Sequence, residues 1–323
     1  MFEDRRTSDF LPSLTAAVAW GAMFPIAAAA ITHVDAFHLT AIRYLVATLI
    51  FLGLLLAFEG RAALKTDGRG KELFVLGTLG FAGFNLLTYV ALEHTRPQDA
   101  SLIVATSPLM TALALWLTTR AKPSRATLGA MAVALFGVVL VITHGKPSSL
   151  IHGDGRAGDL LVLVGVASFV AYTLGARRFS DFSPLRYTAL SATGGTITIV
   201  AVTTLLTLTG TYPMPGVGDV GDIWLQIVYI ILAGAVLGVL AWNEGVRRIG
   251  AANGALFMNL VPVVTFAVEI GRGYRPGTVE MFGALLTIAA LVFANLAGRQ
   301  AIRLPSRLAW AATREAKAAK SLP

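Results

Sequence analysis

Apolar runs of about the length needed to cross a bilayer follow one another from Leu11 to Gly298, and they leave this chain very few folds to choose from. A helix covers about 30 Å of hydrocarbon with about 20 residues. Segmenting on that length predicts spans over 11–31, 37–57, 73–94, 99–119, 124–143, 157–177, 184–209, 221–243, 252–271 and 277–298. The expected fold class is all-α integral membrane, with ten transmembrane helices. Of the 323 residues, 55% are hydrophobic and only 14% charged, against about a quarter charged in soluble domains. The 32 glycines suit helices whose backbones approach closely in lipid. With no cysteine, disulfides and thiolate chemistry are excluded. The segment Met1–Phe10 is short, mixed in charge and lacks a small-residue cleavage site, so the first span is expected to be retained.

The formal charge of +8 would suit nucleic acid only if it formed a basic face, and here the basic residues lie between apolar spans. Membrane topology accounts for them. With the N-terminus inside, only Arg96, Lys146, Arg156, Arg272 and Arg275 fall outside and Arg43 falls within a helix, leaving 20 of the 26 Lys and Arg on inside segments. Such asymmetry in short loops sets orientation, so both termini are expected in the cytoplasm of a bacterial-type inner membrane. The tail beyond Gly298 carries Arg299, Arg303, Arg307, Trp310, Arg314, Lys317 and Lys320. It either sets orientation from solution or lies on anionic headgroups, where each basic residue contributes about 1 kcal/mol.

The spans fall into two related sets. A shift of 154 positions places Leu102 on Leu256, Pro108 on Pro262, Thr111 on Thr265, Gly129 on Gly283 and Ala130 on Ala284. Five spans in each set, an odd number, would give the second the opposite orientation, as in the inverted repeats of secondary transporters. The expected organisation is a first repeat over 1–147, a second over 148–300 and a basic cytoplasmic tail over 301–323. Pro108 and Pro262 fall near mid-span in the fourth helix of each set and are candidate hinges, since an internal proline deletes a backbone hydrogen bond and bends the helix.

The pairs Trp20-Gly21 and Phe24-Pro25, then Arg43-Tyr44, then Tyr89–Leu92 running through Ala100–Leu102 to Ser107–Leu109, carry a resemblance that covers nearly the whole chain. Gly129–Val139, and Asn253 through Pro262 to Gly283, continue it. The sequence resembles the drug/metabolite transporter superfamily, specifically ten-helix proteins with two EamA-type repeats, and is most similar to the branch of bacterial aromatic amino acid exporters. The resemblance implies export of amino acids or other small metabolites. It departs from the pattern in helix 6, which lacks a tryptophan and has Phe169 or nearby Tyr172 instead.

Among side chains inside the spans, Arg43 lies roughly 9 Å into helix 2 at about 1.5 Å per residue, where a charge must be paired, hydrated or able to snorkel. It could hold a substrate carboxylate, reach the outer headgroups or brace the bundle. Trp20 is too deep for the interfacial belt, and with Phe24 at i, i+4 spacing it could stack on an apolar substrate or pack between helices. Trp116, Trp224 and Trp242 lie near expected helix ends and read as belt residues. Asn85, Thr88 and Tyr89 form one polar stripe, Ser168 and Tyr172 another; each suits a cavity or an interhelical hydrogen bond. Asn259 could reach carbonyls freed by Pro262 or a substrate amine. Gly77, Gly80, Gly83, Gly234 and Gly238 are expected to permit close crossings. A central cavity is expected between helices 1, 3 and 4 of one half and 6, 8 and 9 of the other.

All 18 acidic residues fall in loops, tails or near helix ends, and His33, His38, His94, His144 and His152 fall at outer ends, so no proton relay is expected at mid-membrane. The chain has no Gly-rich phosphate loop, no paired carboxylates in the membrane and no metal-ligand cluster. A cofactor, a metal and an enzymatic activity are therefore not expected, and the partners are a small-molecule substrate and the bilayer, not nucleic acid. A transporter is the leading expectation. A drug or general metabolite exporter is its near neighbour, and a membrane scaffold or lipid-handling protein would instead lack a water-accessible cavity. Reporter tags at Lys65, Lys122 and the C-terminus should report cytoplasm and tags near Lys146 or Asp219 the outside; a reversed pattern would overturn the orientation.

Overall fold

The computed structural model describes residues 7–120, 125–143, 156–290 and 293. Among the described residues, eight helices are long and apolar enough to cross a membrane. They are α1 (Leu11–Ala30), α2 (Ala36–Glu59), α3 (Gly70–Ala91), α4 (Pro97–Thr118), α6 (Ala157–Phe179), α7 (Pro184–Leu208), α8 (Trp224–Ile249) and α9 (Ala251–Gly271). Two others hold shorter apolar stretches: α5 (Arg125–Thr143) and α10 (Thr278–Ala290). No strand occurs among the described residues. The loop 144–155, the end of the tenth expected span and the basic tail lie outside the described residues.

Lipid offers the backbone no hydrogen-bond partner, so each span must satisfy its own polar groups as a helix. What then orders the helices is small-residue contact. A methyl group added at Gly77 would lie 1.8 Å from the Ser191 carbonyl oxygen, and one at Gly245 would lie 2.2 Å from Ser13 Oγ. Helices meet closely at both glycines, of which Gly77 was expected to permit such a crossing and Gly245 was not singled out.

The buried stripe of α2 recurs at Leu39, Arg43, Ala47, Phe51 and Leu55, one residue in four, facing the bundle. Along this stripe α2 meets α7 in opposite direction. His38, near the start of α2, lies 3.0 Å from the Thr207 hydroxyl near the end of α7, Thr48 and Thr196 pair at 2.8 Å halfway, and Ser183 ahead of α7 donates to Glu59 at the end of α2. α1 crosses α8 in the same sense, with Ser13 at Gly245, Trp20 at Gly238 and Met23 at Gly234. α6 meets α3 likewise: Gly158 at Ala91, Gly165 at Phe84, Gly175 at Leu76. Each contact joins a helix of the first set to one of the second.

Backbone irregularities also recur between the sets. α3 widens to a π-helix over Thr78–Gly83 and α8 over Ile230–Leu237. In the fourth helix of each set the α-helix lapses, at 105–106 in one and through the 3-10 turn Ala255–Asn259 in the other. The expected kinks at the prolines therefore take another form. Pro108 is second in the segment Ser107–Thr119 and Pro262 third in Leu260–Gly271, positions at a helix start whose N–H groups have no intrahelical acceptor. The proline starts a new helical segment and sacrifices no hydrogen bond. The irregular turn lies just ahead of it.

Helix α8 extends to Ile249, six residues beyond the expected 243. In consequence Trp242 is 2% exposed and packs on Trp20 and Phe169, so its reading as a belt residue is incorrect, whereas Trp224 is 59% exposed.

Because the chain has no cysteine, the direction of α2 against α7 is open to cross-linking. Cysteine pairs at His38 with Thr207 and at Glu59 with Ser183 should cross-link with a short reagent. The exchanged pairs, His38 with Ser183 and Glu59 with Thr207, sit about 30 Å apart at about 1.5 Å per residue and should not; efficient linkage of the exchanged pairs would mean the helices run parallel.

Candidate functional site

At the centre of the bundle lies a small cavity lined by Trp20 and Met23 of α1, Arg43 and Tyr44 of α2, Gly80, Phe81, Phe84 and Asn85 of α3, Phe169 and Tyr172 of α6, and Val239 of α8. Its free volume is about 10 Å³, about that of one water, so a molecule of amino-acid size would need the surrounding rings to part. Helix α2 lines it, and α4 and α9, expected to contribute, do not.

Arg43 is the charge in this cavity. It is 1% exposed, so snorkelling to the headgroups is ruled out as its role. Nη1 makes both of its hydrogen bonds, to Asn85 Oδ1 and the Tyr89 hydroxyl, each at 2.9 Å. The guanidinium carbon stands 4.8 Å from the Tyr44 ring centre and 5.7 Å from that of Tyr89, and Nε is buried without a partner. An arginine at mid-helix costs about 3 kcal/mol to place in a membrane. Hydrogen bonds and two ring faces offset that cost, yet no ion pair to Arg43 occurs among the described residues. The charge is solvated by dipoles and left uncompensated.

Around it stands a cage of rings. Trp20 meets Phe169 edge-on at 5.6 Å and Trp242 at 5.5 Å, and Phe81 bridges Tyr44 and Tyr172 at 5.4 Å each. The π-helical turns serve this cage directly. In each widened turn a carbonyl accepts from a cavity side chain: Asn85 Nδ2 donates to Phe81 O at 2.9 Å, and Trp20 Nε1 to Gly234 O at 2.8 Å. Glycine is required beside these rings, since a methyl at Gly80 would lie 2.4 Å from the Tyr172 ring and one at Gly238 2.5 Å from Trp20 Nε1. Tyr172 is fixed through its hydroxyl, which accepts from Asn243 Nδ2 at 2.8 Å, and Asn243 also donates to Thr188 at 2.7 Å.

Of the residues singled out from sequence, Trp20, Arg43, Asn85 and Tyr172 line the cavity and Tyr89 holds Arg43 from behind. Phe24 is buried elsewhere in the core. Ser168 donates to the Val164 carbonyl at 3.0 Å within its own helix, and Asn259, with a buried unpartnered Oδ1, lies off the cavity. Tyr44, Phe81 and Phe84 line the cavity as well; sequence reasoning does not single them out as site residues, although Phe81 stands one turn before Asn85 and Tyr44 adjoins Arg43.

Charged networks bind the loops at both ends of the bundle. At one end Arg69 pairs with Asp181 and Arg186 with Asp67 at 2.8 Å, and Arg69 holds the Asp181 carboxyl below the usual carboxylate range. At the other, Arg96 forks onto Asp99 at 2.8 and 2.9 Å and reaches Tyr274 at 3.0 Å, while Tyr274 donates to Glu280, itself 2% exposed. Burial, then the bond to Glu280, pushes the Tyr274 hydroxyl up to about 12. Asp99 and Glu280 do lie near helix ends as expected, but their burial was not legible from position alone.

The EamA-like transporter family matches the sequence twice, over residues 10–143 and 156–296. This chain belongs to that family. An EamA relative, the uncharacterized transporter YrdR of Bacillus subtilis (strain 168), is 31% identical over 294 residues, covering 90% of this chain and 92% of the relative. A second transporter of that organism, YyaM, is 29% identical over 85% of this chain and 89% of its own length. More distant, at 22% identity over 86% of this chain and 90% of the relative, is a protein of Streptantibioticus cattleyicolor named as a probable terminal-alkyne amino-acid exporter. A solved crystal structure shares the fold with a TM-score of 0.68 at 21% identity, over 92% of this chain and 99% of the other. The protein is thus a multi-span membrane transporter of EamA type.

The setting of the guanidinium gives a direct test. Asn85→Ala removes one of Arg43's two acceptors and leaves a donor unmade in a buried site, at a cost of about 1–3 kcal/mol. Tyr89→Phe should cost a similar amount. Both variants should unfold at lower temperature in detergent than a Gly53→Ala control, whose added methyl meets nothing within 4 Å; equal stability would mean that Arg43 does not depend on these partners.

Proposed function

We propose that this EamA-type protein carries amino acids with bulky apolar or aromatic side chains out of a bacterial cell, by alternating access at the Arg43 cavity. The observation that carries the reading is the uncompensated guanidinium within a cage of rings: the cation suits a carboxylate, and the rings suit an apolar side chain. An amino acid presents both. The name of the Streptantibioticus cattleyicolor relative supports the same substrate class.

The architecture proposed with it is ten spans in two copies of opposite orientation, residues 1–147 and 148–300, with both termini and the tail 301–323 in the cytoplasm. Three observations support it. The family matches twice, helices of the two sets cross in opposite directions, and the π-turns and helix lapses recur at corresponding places. Cavity residues come from both copies, so that rocking one copy against the other would open the site to each face in turn. The lapses ahead of Pro108 and Pro262 are the proposed bend points, and the loop networks of Arg69 and Arg96 the contacts that would break on opening. Trp20, Arg43, Asn85, Tyr89 and Tyr172 form the proposed binding site; Phe24, Ser168 and Asn259 support it from outside the cavity.

Purified protein in liposomes preloaded with single labelled amino acids should release phenylalanine, leucine or their like faster than glycine or aspartate. Release should continue without an imposed pH gradient, because no acidic residue among the described ones lines the cavity. Equal flux for all amino acids, or none, would count against the substrate class, and strict dependence on a pH gradient would reveal a proton site elsewhere.

A further inference from the structure

We infer that the Arg43 site recognises the carboxylate of its substrate and leaves the amino group unread, so that deaminated acids bind at least as well as amino acids with the same side chain. The inference rests on the carboxylate-bearing substrate proposed above and deepens it to a class, apolar or aromatic monocarboxylates.

The guanidinium itself gives the first reason. Nη1 is engaged by Asn85 and Tyr89, while Nε is buried and unpartnered. This leaves the edge formed by Nε and Nη2, the fork that grips a carboxylate through two parallel hydrogen bonds. An ammonium has no equivalent reception. The carbonyl oxygens nearby are neutral and each already accepts a hydrogen bond: Asn85 Oδ1 from Arg43, Phe81 O from Asn85 Nδ2, and Gly234 O from Trp20 Nε1. Tyr172 accepts from Asn243 through its hydroxyl. Neither Asp nor Glu lines the cavity.

Net charge gives the second reason. A carboxylate without an amine neutralises Arg43, and the complex enters the closed state with no net charge in a medium where charge is costly. A zwitterion contributes a cation as well and leaves the site as positive as before. The faces of Tyr44 and Tyr89 do not remedy this, because Arg43 already stands over them and an ammonium brought there would meet a like charge; the other rings of the cavity carry no negative charge to offset it.

Three molecules of one skeleton separate the contributions: L-phenylalanine, 3-phenylpropionate and phenethylamine, titrated at neutral pH onto the full chain in detergent and followed by thermal shift and by tryptophan fluorescence. 3-Phenylpropionate should bind at least as tightly as L-phenylalanine, and phenethylamine at least tenfold more weakly than either. Arg43→Gln should lower affinity for 3-phenylpropionate tenfold or more, with Arg43→Lys retaining part of it; should Arg43→Gln not fold, the order of the three on the native chain decides alone. L-phenylalanine binding tenfold tighter than 3-phenylpropionate, or phenethylamine binding as well as the acid, would overturn the inference while leaving amino acid transport standing. Binding of 3-phenylpropionate by a chain that moves no amino acid would do the reverse, and binding of none of the three would refute both.

Discussion

A guanidinium enclosed by apolar helices sets terms that its neighbours must meet. Arg43 falls on the buried stripe of α2 because Leu39, Ala47 and Phe51 at four-residue spacing turn that face inward. Once there, it needs acceptors from other helices. Asn85 and Tyr89, one turn apart on α3, supply them, and Asn85 is in turn oriented by its bond to the Phe81 carbonyl in the π-turn of α3. The helical irregularity, the polar stripe and the charge are thus one arrangement. None of its members carries a negative charge, and the site is left suited to an anion.

Close backbone approach gives the cage its shape. Glycines at 80, 234 and 238 let Tyr172, Met23 and Trp20 lie against the widened turns, and larger residues there would push the rings into the space they enclose. The same two turns, one in each set of helices, hold the Phe81 and Gly234 carbonyls that Asn85 and Trp20 of the cavity bond. The lapses ahead of Pro108 and Pro262 interrupt the fourth helix of each set in the same way, and there the proline's missing N–H costs nothing because the helix is starting afresh.

Much of this was legible in the sequence because lipid is an exacting solvent. Span length placed the eight long helices to within three residues at each end, save the end of α8, and depth alone separated Trp20 from the interfacial belt. Position along a span does not reveal what lies across it, however. The depth that marked Arg43 could not say whether it met headgroups, substrate or Asn85. Trp242 was misjudged because α8 runs past its apolar stretch to Ile249, burying a ring that hydropathy had put at the surface. The π-turns left no mark beyond their glycines, and the network of Arg96, Asp99, Tyr274 and Glu280 joins loops far apart in sequence. Such contacts depend on tertiary packing, to which local pattern is blind.

Access to the cavity from each side of the membrane tests the transport centre most directly. Met23 lines the cavity and is 3% exposed, and Met23→Cys would introduce the chain's single thiol at modest change in size. In sealed vesicles of either orientation, a small membrane-impermeant thiol reagent should label this cysteine from both faces, and saturating substrate should slow labelling from each. Labelling from one face alone under every condition, or at a rate indifferent to substrate, would contradict a site that opens alternately to the two sides.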